Sequence, residues 1–276
     1  MTHFSSAMRA ARRAFTLVEL AIVLVIIGLI VTAVLSGQDM IRAAQMRSVV
    51  SQYNTFMTGV LAFQTKYNSR IPGDSSAAVF GLAGGSAGGT GGGDANGLIT
   101  STGATTVATL TGEILNFWSQ LTTPGKELIP GLYFGYVTGQ STAVSVGDTF
   151  VPTFRFDKQY GWSVFGSSSA NRNYFMAGLA ASSITVAATA LSTGSHTTIH
   201  AFVPIDAYNI DNKIDDGVPN AGIVWAGSAT DGAYLTASTA ATASTAACLN
   251  TSPTPDAYQY TADSRLCTLR FEMTHY

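Results

Sequence analysis

The N-terminal segment constrains this chain more than any other part of it. Three arginines, Arg9, Arg12 and Arg13, precede an apolar run from Phe15 to Val34 in which Glu19 is the only charged side chain. This run of 20 residues is long enough to cross a bilayer as a helix. A carboxylate in hydrocarbon costs roughly 2.5–3.5 kcal/mol on insertion scales, so it is usually paired or functional. The sequence therefore predicts a membrane-spanning helix in which the Glu19 carboxylate has a partner.

Three kinds of segment begin with basic residues followed by an apolar run. A secretory signal peptide needs an apolar region of about 7–15 residues with a small-residue cleavage site behind it, and the run here is longer. A plain signal anchor leaves Glu19 unexplained. A leader that is cut before the apolar run, so that the run stays on the mature protein, accounts for both the length and the acid.

The sequence AFTLVELAIVLVIIGLIV, residues 14–31, resembles the prepilin signature of type IV pilins and type II secretion pseudopilins. The resemblance implies that residues 1–14 are a leader peptide, which a prepilin peptidase removes by cutting between Ala14 and Phe15. Ala14 stands where the family usually has glycine, and both residues are small. The resemblance further implies that the Phe15 amine is methylated and that it pairs with Glu19 of an incoming subunit during assembly. That pair would give Glu19 its partner.

The same resemblance implies a structural protein and no enzyme. It predicts a structural subunit of a type IV pilus-like extracellular filament, held in the inner membrane of a bacterium as a precursor and assembled from there. Expected partners are identical or related pilin subunits, the prepilin peptidase, an inner-membrane assembly platform, and the membrane before assembly. Two alternatives stay open: a pseudopilin in a periplasm-spanning type II secretion system, or a minor tip subunit that binds DNA or surfaces.

The helical pattern continues beyond the apolar run. One helix from Phe15 to about Tyr67 is predicted, which would be roughly 80 Å long at 1.5 Å per residue. Ser36-Gly37 is a candidate kink, and Pro72 marks the end of the helical region. The residues that recur at spacings of three and four in its second half, with one polar position, are Met46, Val49, Val50, Tyr53, Met57, Val60, Gln64 and Tyr67.

Two segments therefore follow the leader. Residues 15–43 are expected to form an apolar helix, transmembrane before assembly and filament core after it. Residues 44–276 are expected to form a globular pilin-like domain that includes the amphipathic half of the helix.

The globular part alternates short apolar runs with glycine-rich turns, of which residues 81–97 are a predicted surface loop. The spacing of apolar residues predicts a short helix over residues 112–121. Residues 226–247, mostly Ala, Ser and Thr, are compatible with a loop or with a pair of strands. Stretches rich in β-branched and aromatic residues predict strands at 131–139, 149–157, 160–166, 174–179 and 197–205.

The predicted fold class is α+β, with a long N-terminal helix packed on a mainly antiparallel β domain that carries glycine-rich loops. The segments SRIPGD, GDANG, ILNFWSQL and IDNKIDDGVPNAG also resemble a large pseudopilin-like branch of the family. That resemblance implies a sheet packed on the long helix.

Several function classes are disfavoured. The net charge is −2, whereas general nucleic-acid binding needs clustered Lys and Arg. A G-x-S-x-G match at residues 84–88 lies inside a glycine run, without the strand and helix that a hydrolase elbow needs. His196 and His200 fall on a predicted strand, where they would stand roughly 13 Å apart, too far to share a metal. We therefore expect no enzymatic activity.

The two cysteines, Cys248 and Cys267, lie close together in the sequence of a chain with an export-type N-terminus. This context favours a disulfide over a metal site or two reduced thiols.

An acidic segment from Asp206 to Gly217 is the main candidate for metal binding. Its oxygen-bearing residues Asn209, Asp211, Asp215 and Asp216 could hold Ca²⁺, and the resemblance also implies calcium in this region of the domain. The competing interpretation is a short helix after Pro204 that buries Ala207, Ile210 and Ile214 and ends in a turn at Asp216-Gly217. The sequence GGDANG, residues 92–97, is a weaker second candidate for a cation.

Overall fold

The computed structural model describes residues 16–75, 80–82, 93–99, 113–133, 151–167, 170–180, 200–227, 248–250 and 257–273. The chain divides into two units, Met1–Gln45 and Met46–Tyr276. The leader, Ala14 and Phe15 lie outside the described residues. So do most of the predicted strand at 131–139, His196, the G-x-S-x-G match and nearly all of 226–247.

Helix α1, Leu17–Lys66, is the predicted long helix and contains 50 residues. It continues through Ser36 and Gly37, where we had expected a kink or a local loss of helix. The helix ends because Asn68 and Ser69 adopt positive φ angles of 55° and 60°. The amide of Ser69 then donates to the Gln64 carbonyl oxygen at 2.7 Å, which closes the last turn. The chain has therefore left the helix before it reaches Pro72.

The second half of α1 buries a wider face than the predicted stripe. Met57 and Gln64, which we expected on that stripe, are half-buried. Phe56 and Phe63, which the pattern left out, are almost completely buried. The stripe is wider because aromatic side chains approach the helix from several elements at once.

Gln52 is also buried, although it is not one of the residues of the predicted stripe. Its side-chain nitrogen donates to the Thr153 carbonyl oxygen at 3.0 Å, and its side-chain oxygen accepts a hydrogen bond from the Arg155 amide at 3.3 Å. Both halves of the amide are satisfied, so the glutamine can lie inside the domain without a large desolvation cost.

The sheet of the second unit has four antiparallel strands in the order β1-β2-β6-β3. The α+β class and the antiparallel sheet are confirmed. A two-stranded sheet pairs β4 with β5. The strands are β1 Tyr160–Ser167, β2 Arg172–Ala180, β3 Val224–Gly227, β4 Leu249–Asn250, β5 Ala257–Tyr258 and β6 Thr268–Glu272.

The predicted strands were only partly correct. Residues 160–166 and 174–179 lie in β1 and β2. In 149–157 and 197–205, the described residues contribute single bridges, Thr153 to Gly161 and Phe202 to Cys267. Pro152 and Pro204 interrupt these two segments, because proline has no amide hydrogen for a strand ladder. Strands β3 and β6 were not predicted.

The core of the second unit lies between α1, the sheet and a short helix α2, Glu113–Leu121, which matches the predicted one. The Phe56 ring lies 5.0 Å from Trp118, 5.5 Å from Trp162 and 6.1 Å from Phe175, measured between ring centroids. On the same face of α1, Tyr53 stacks on Phe271 of β6 at 5.0 Å. Each aromatic pair of this kind adds about 0.5–1.5 kcal/mol beyond burial of its surface.

Helix α3, Pro204–Ile214, is the short helix that the competing interpretation of the acidic segment predicted. Ala207 and Ile210 are fully buried, as expected, and Ile214 is half-buried. The helix is followed directly by Asp215 and Asp216, so the acidic residues lie at its C-terminal end.

Candidate functional site

The Glu19 carboxylate lies at the start of α1 and is held there by Thr16. The Thr16 amide and hydroxyl both donate to Glu19 Oε2, at 2.8 and 2.9 Å. The Glu19 amide donates in return to Thr16 Oγ1 at 3.2 Å. This reciprocal arrangement is a capping box, which satisfies two backbone amides at a helix start. The T-x-x-E spacing was visible in the sequence, but we had sought a partner for Glu19 only in another subunit.

The first half of α1 exposes an apolar surface. Thr32, a polar residue within it, donates its hydroxyl to the Gly28 carbonyl oxygen at 2.9 Å, one turn earlier. By length and composition, α1 could cross a membrane. A helix that is apolar all round requires a membrane or an apolar protein partner. The large apolar side chains that are at least half exposed on it run from Leu17 to Ile41.

Three aspartates meet at the C-terminal end of α3. One carboxylate oxygen from each of Asp211, Asp215 and Asp216 lies within 4.8 Å of the others. Asn209 was predicted to join them, but it is exposed whereas Asp211 is fully buried. Residues two apart on a helix do not face the same side, so Asn209 does not share the helix face of Asp211.

Each aspartate is held by a different element. Tyr258 of β5 donates its hydroxyl to Asp211 Oδ2 at 2.7 Å. Asp215 Oδ2 accepts hydrogen bonds from the amides of Ile223 and Val224, which connects the end of α3 to β3. Asp216 accepts a bond from the Val218 amide at 2.8 Å in a local turn.

Glycine at position 222 permits the approach of Asp215. A Cβ atom at Gly222 would clash with Asp215 Oδ2, and the residue has a φ of 64°. Any side chain there would displace the carboxylate, so the acidic cluster requires glycine at this position.

The electrostatics of the cluster suit a cation. Burial raises the pKa of Asp211 to about 7, and the neighbouring charges of Asp216 and Asp215 act in the same direction. The hydrogen bond from Tyr258 and the nearby Gly217 amide oppose this shift. Asp211 Oδ1 is buried and has no hydrogen-bond partner among the residues that the structure describes. Three carboxylates with one orphaned buried oxygen fit a hard divalent cation such as Ca²⁺, which prefers oxygen ligands.

A second acidic group surrounds the GGDANG loop. One oxygen from each of Asp74, Asp94 and Glu113 lies within 4.8 Å of the others, and only Asp94 is exposed. Burial raises the pKa of Asp74 to about 6. The sequence had drawn attention to the loop but not to Asp74 or Glu113, which lie on distant segments.

Backbone amides already occupy the oxygens of this second group. Asp74 Oδ1 accepts from the Asn96 amide at 3.1 Å, and Oδ2 accepts from the Gly97 amide at 2.9 Å. Glu113 accepts a bond from the Asp94 amide at 3.0 Å. These bonds attach the loop to α2 and to the chain after α1, which is a structural role.

The two cysteines form the predicted disulfide. Cys248 and Cys267 are both fully buried, and their Cα atoms lie 4.9 Å apart. The bond joins the residue before β4 to the residue before β6.

Comparison with known proteins identifies one feature. Residues 9–35 match the prokaryotic N-terminal methylation motif. No curated protein and no solved structure matches the chain. The motif is typical of a structural, non-catalytic family whose precursors are anchored in the membrane by the N-terminal helix. The matched residues include the basic segment, Phe15, Glu19 and the apolar start of α1. The chain thus carries the type IV pilin and pseudopilin signature at its N-terminus.

Proposed function

We propose that this protein is a structural subunit of a type IV pilus-like extracellular filament. The observation that carries the proposal is the first half of α1, which exposes apolar side chains all round and holds the Glu19 carboxylate in its first turn, within the methylation motif. Such a helix suits storage in a bilayer and later packing against copies of itself. Its expected partners are identical or related subunits, the prepilin peptidase and an inner-membrane assembly platform.

Processing creates the charge that assembly uses. Cleavage between Ala14 and Phe15 gives the mature chain a methylated amine at Phe15, which is a cation near Glu19. In the capping box the amide and the hydroxyl of Thr16 both donate to Glu19 Oε2, and no described residue donates to Oε1, which leaves that oxygen for the amine of a neighbouring subunit. Because an unpaired charge in an apolar environment is costly, the pair selects the subunit register in which both charges are satisfied.

The proposal is tested by electron microscopy and mass spectrometry of material sheared from cells. We expect fibres that contain this protein with Phe15 as its N-terminal residue, and no such fibres from cells that lack the gene. A mature protein that begins at Met1 or after Val34 would contradict the prediction that residues 1–14 are a cleaved leader. Correctly processed protein that never enters fibres, with loss of protein secretion in the deletion strain, indicates a type II secretion pseudopilin. Fibres that contain it at one end only indicate a tip subunit.

We also propose that Asp211, Asp215 and Asp216 bind a calcium ion that stabilises the acidic turn. The buried, orphaned Oδ1 of Asp211 is the observation that favours this ligand. Without the ion, three carboxylates with oxygens within 4.8 Å of one another repel, and a bound divalent cation removes that repulsion.

The calcium proposal is tested by thermal unfolding of the full chain in detergent. We expect a higher melting temperature in calcium than in chelator. At a calcium concentration of about a hundred times Kd, binding should raise the free energy of unfolding by about 2.7 kcal/mol. Asp215→Ala should remove the difference, whereas Asp263→Ala, at an exposed aspartate outside the cluster, should keep it. Magnesium should substitute poorly because it needs a tighter octahedral shell. Identical curves in calcium and chelator leave the helix and turn as a purely structural feature.

A further inference from the structure

We infer that Tyr258 is a positioning residue for this cation site, and that the Cys248–Cys267 disulfide acts on the site through it. The inference rests on the calcium site proposed above. It assigns to the disulfide-bonded hairpin β4–β5 a part in ion binding that the acidic residues alone do not predict.

The first step concerns Asp211 itself. Its carboxylate is fully buried, and the Tyr258 hydroxyl bonds one oxygen, Oδ2, at 2.7 Å. This bond fixes the plane of the carboxylate, and the other oxygen, Oδ1, is the orphaned one. A hydrogen bond to a ligating carboxylate orients it, and loss of such a partner typically weakens metal binding by about 10–100-fold.

The second step concerns what holds Tyr258. Tyr258 pairs with Leu249 in a two-stranded sheet of two residues per strand, and the Gln259 amide donates to the Cys248 carbonyl oxygen at 3.0 Å. Strands this short are not stable by themselves. The hairpin is therefore fixed chiefly by its burial and by the covalent bond from Cys248 to Cys267.

The third step returns to α3. The amide of Cys267 donates to the Phe202 carbonyl oxygen at 2.9 Å, and the Phe202 amide donates back at 3.1 Å. Helix α3 begins two residues later, at Pro204. Cys267 thus holds the N-terminal side of α3 directly, and it holds Asp211 through Cys248 and Tyr258. The disulfide closes a loop of contacts around the acidic turn, so it limits the movement of Asp211 relative to Tyr258.

The test is a double-mutant cycle in calcium affinity, measured by isothermal titration of calcium chloride into the full chain in detergent. We expect Tyr258→Phe to weaken calcium binding about 10-fold. Cys248→Ser combined with Cys267→Ser should give a similar loss. Together, the three substitutions should cost little more than Tyr258→Phe alone, because the disulfide acts through the tyrosine. Tyr208→Phe is the matched control, since that ring packs on Tyr258 at 5.9 Å, and its affinity should equal that of the wild type.

The outcomes separate the inference from the proposal on which it rests. A wild-type chain that binds no calcium overturns both. If the wild type binds calcium and the Tyr258→Phe variant binds it with the same affinity, the inference is overturned but the calcium proposal stands. Independent, additive losses show that the disulfide does not act through Tyr258. Unfolding in chelator serves as the check on the fold: Tyr258→Phe should change calcium affinity more than it changes the stability measured without calcium.

Discussion

The two halves of α1 use similar apolar residues in opposite surroundings. In the first half, the large apolar side chains from Leu17 to Ile41 are each at least 50% exposed. In the second half, Val49, Phe56 and Phe63 are 0–4% exposed, because they belong to the hydrophobic core of the second unit. The first half is apolar on every side, whereas the second has a polar face. The distribution of apolar residues around the helix therefore separates a segment that needs an external apolar environment from one that its own domain covers.

The same contrast applies to the acids. Glu19 lies on the exposed half and accepts hydrogen bonds from Thr16 at its own helix start, whereas Asp74 is buried and bonded by a distant loop. Substitutions in the first half should change assembly and leave the folded domain intact. Substitutions in the second unit should change stability first.

The largest expected effect is on assembly. Glu19→Ala should leave processing and membrane insertion intact but abolish filaments, because it removes the countercharge of the Phe15 amine, and breaking a buried pair costs about 3–5 kcal/mol. Filament yield in cells without the wild-type gene is the measurement. Asp39→Ala, which removes another exposed acid from α1, is the control and should assemble. Normal yield from Glu19→Ala would contradict the pairing mechanism.

The next effect sharpens the contrast between the two halves of the helix. Phe56→Ala should reduce the free energy of unfolding of the second unit by about 3–5 kcal/mol, because it opens a cavity among aromatic rings. Ile27→Ala, on the exposed half, should leave that free energy unchanged. Both can be measured by denaturant unfolding of the full chain in detergent. Equal losses from the two variants would mean that the first half also supports the folded domain.

Loss of the disulfide should reduce the free energy of unfolding slightly less than Phe56→Ala does. The bonded cysteines are 19 residues apart, and a loop of this size corresponds to about 3 kcal/mol in the chain-entropy model. Replacing both cysteines by serine should reduce stability by this order, measured in chelator so that calcium does not contribute. Thiol titration of denatured, unreduced wild type should find no free cysteine, and two free thiols would contradict the bond.

A pH dependence should arise in the second unit. Burial raises the pKa of Asp74 from 3.8 to about 6, so the folded state favours the protonated carboxyl. The stability from this group is fully present below pH 3.8 and is lost as the pH rises through about 6, by about 2–3 kcal/mol. Asp74→Asn should flatten this part of the pH profile of unfolding. Asp263→Asn, at an exposed aspartate, should not, and a wild-type profile that is flat between pH 4 and 7 would contradict the assignment.

The smallest effect concerns the helix start. Thr16→Ala removes a cap that is typically worth about 1 kcal/mol, so the amides of the first turn should exchange faster in detergent micelles. Thr16→Ser should preserve protection because it keeps the hydroxyl. Thr58→Ala is the internal control, since its hydroxyl bonds only to the Asn54 carbonyl oxygen of the preceding turn. Equal exchange rates in Thr16→Ala and wild type would show that the capping box does not stabilise the first turn of α1.

Local sequence patterns predicted the long helix, α2, α3 and the strands β1 and β2, because periodicity and turn residues act over short distances. They failed where the cause is long-range. Gln52 is polar and lies outside the predicted stripe, yet partners about a hundred positions away form hydrogen bonds with it inside the domain. Strands β3 and β6 are short and depend on pairing with each other. The calcium candidates Asp211, Asp215 and Asp216 lie close together in the sequence, so the sequence predicted them as a group. Tyr258 is distant from them in the sequence and was not predicted.

The Thr32 hydroxyl forms its hydrogen bond within its own helix, and this bears on how the apolar segment exchanges lipid neighbours for protein neighbours. Its bond to the Gly28 carbonyl oxygen travels with the helix, so the apolar segment neither gains nor loses a hydrogen bond there when lipid is exchanged for protein neighbours. Lipid tails are as apolar as leucine, so the exchange itself has little hydrophobic driving force. In the proposed filament, this segment therefore gives little preference for either environment. On that proposal, the charge pair at the helix start and the assembly machinery set the direction in which the subunit moves.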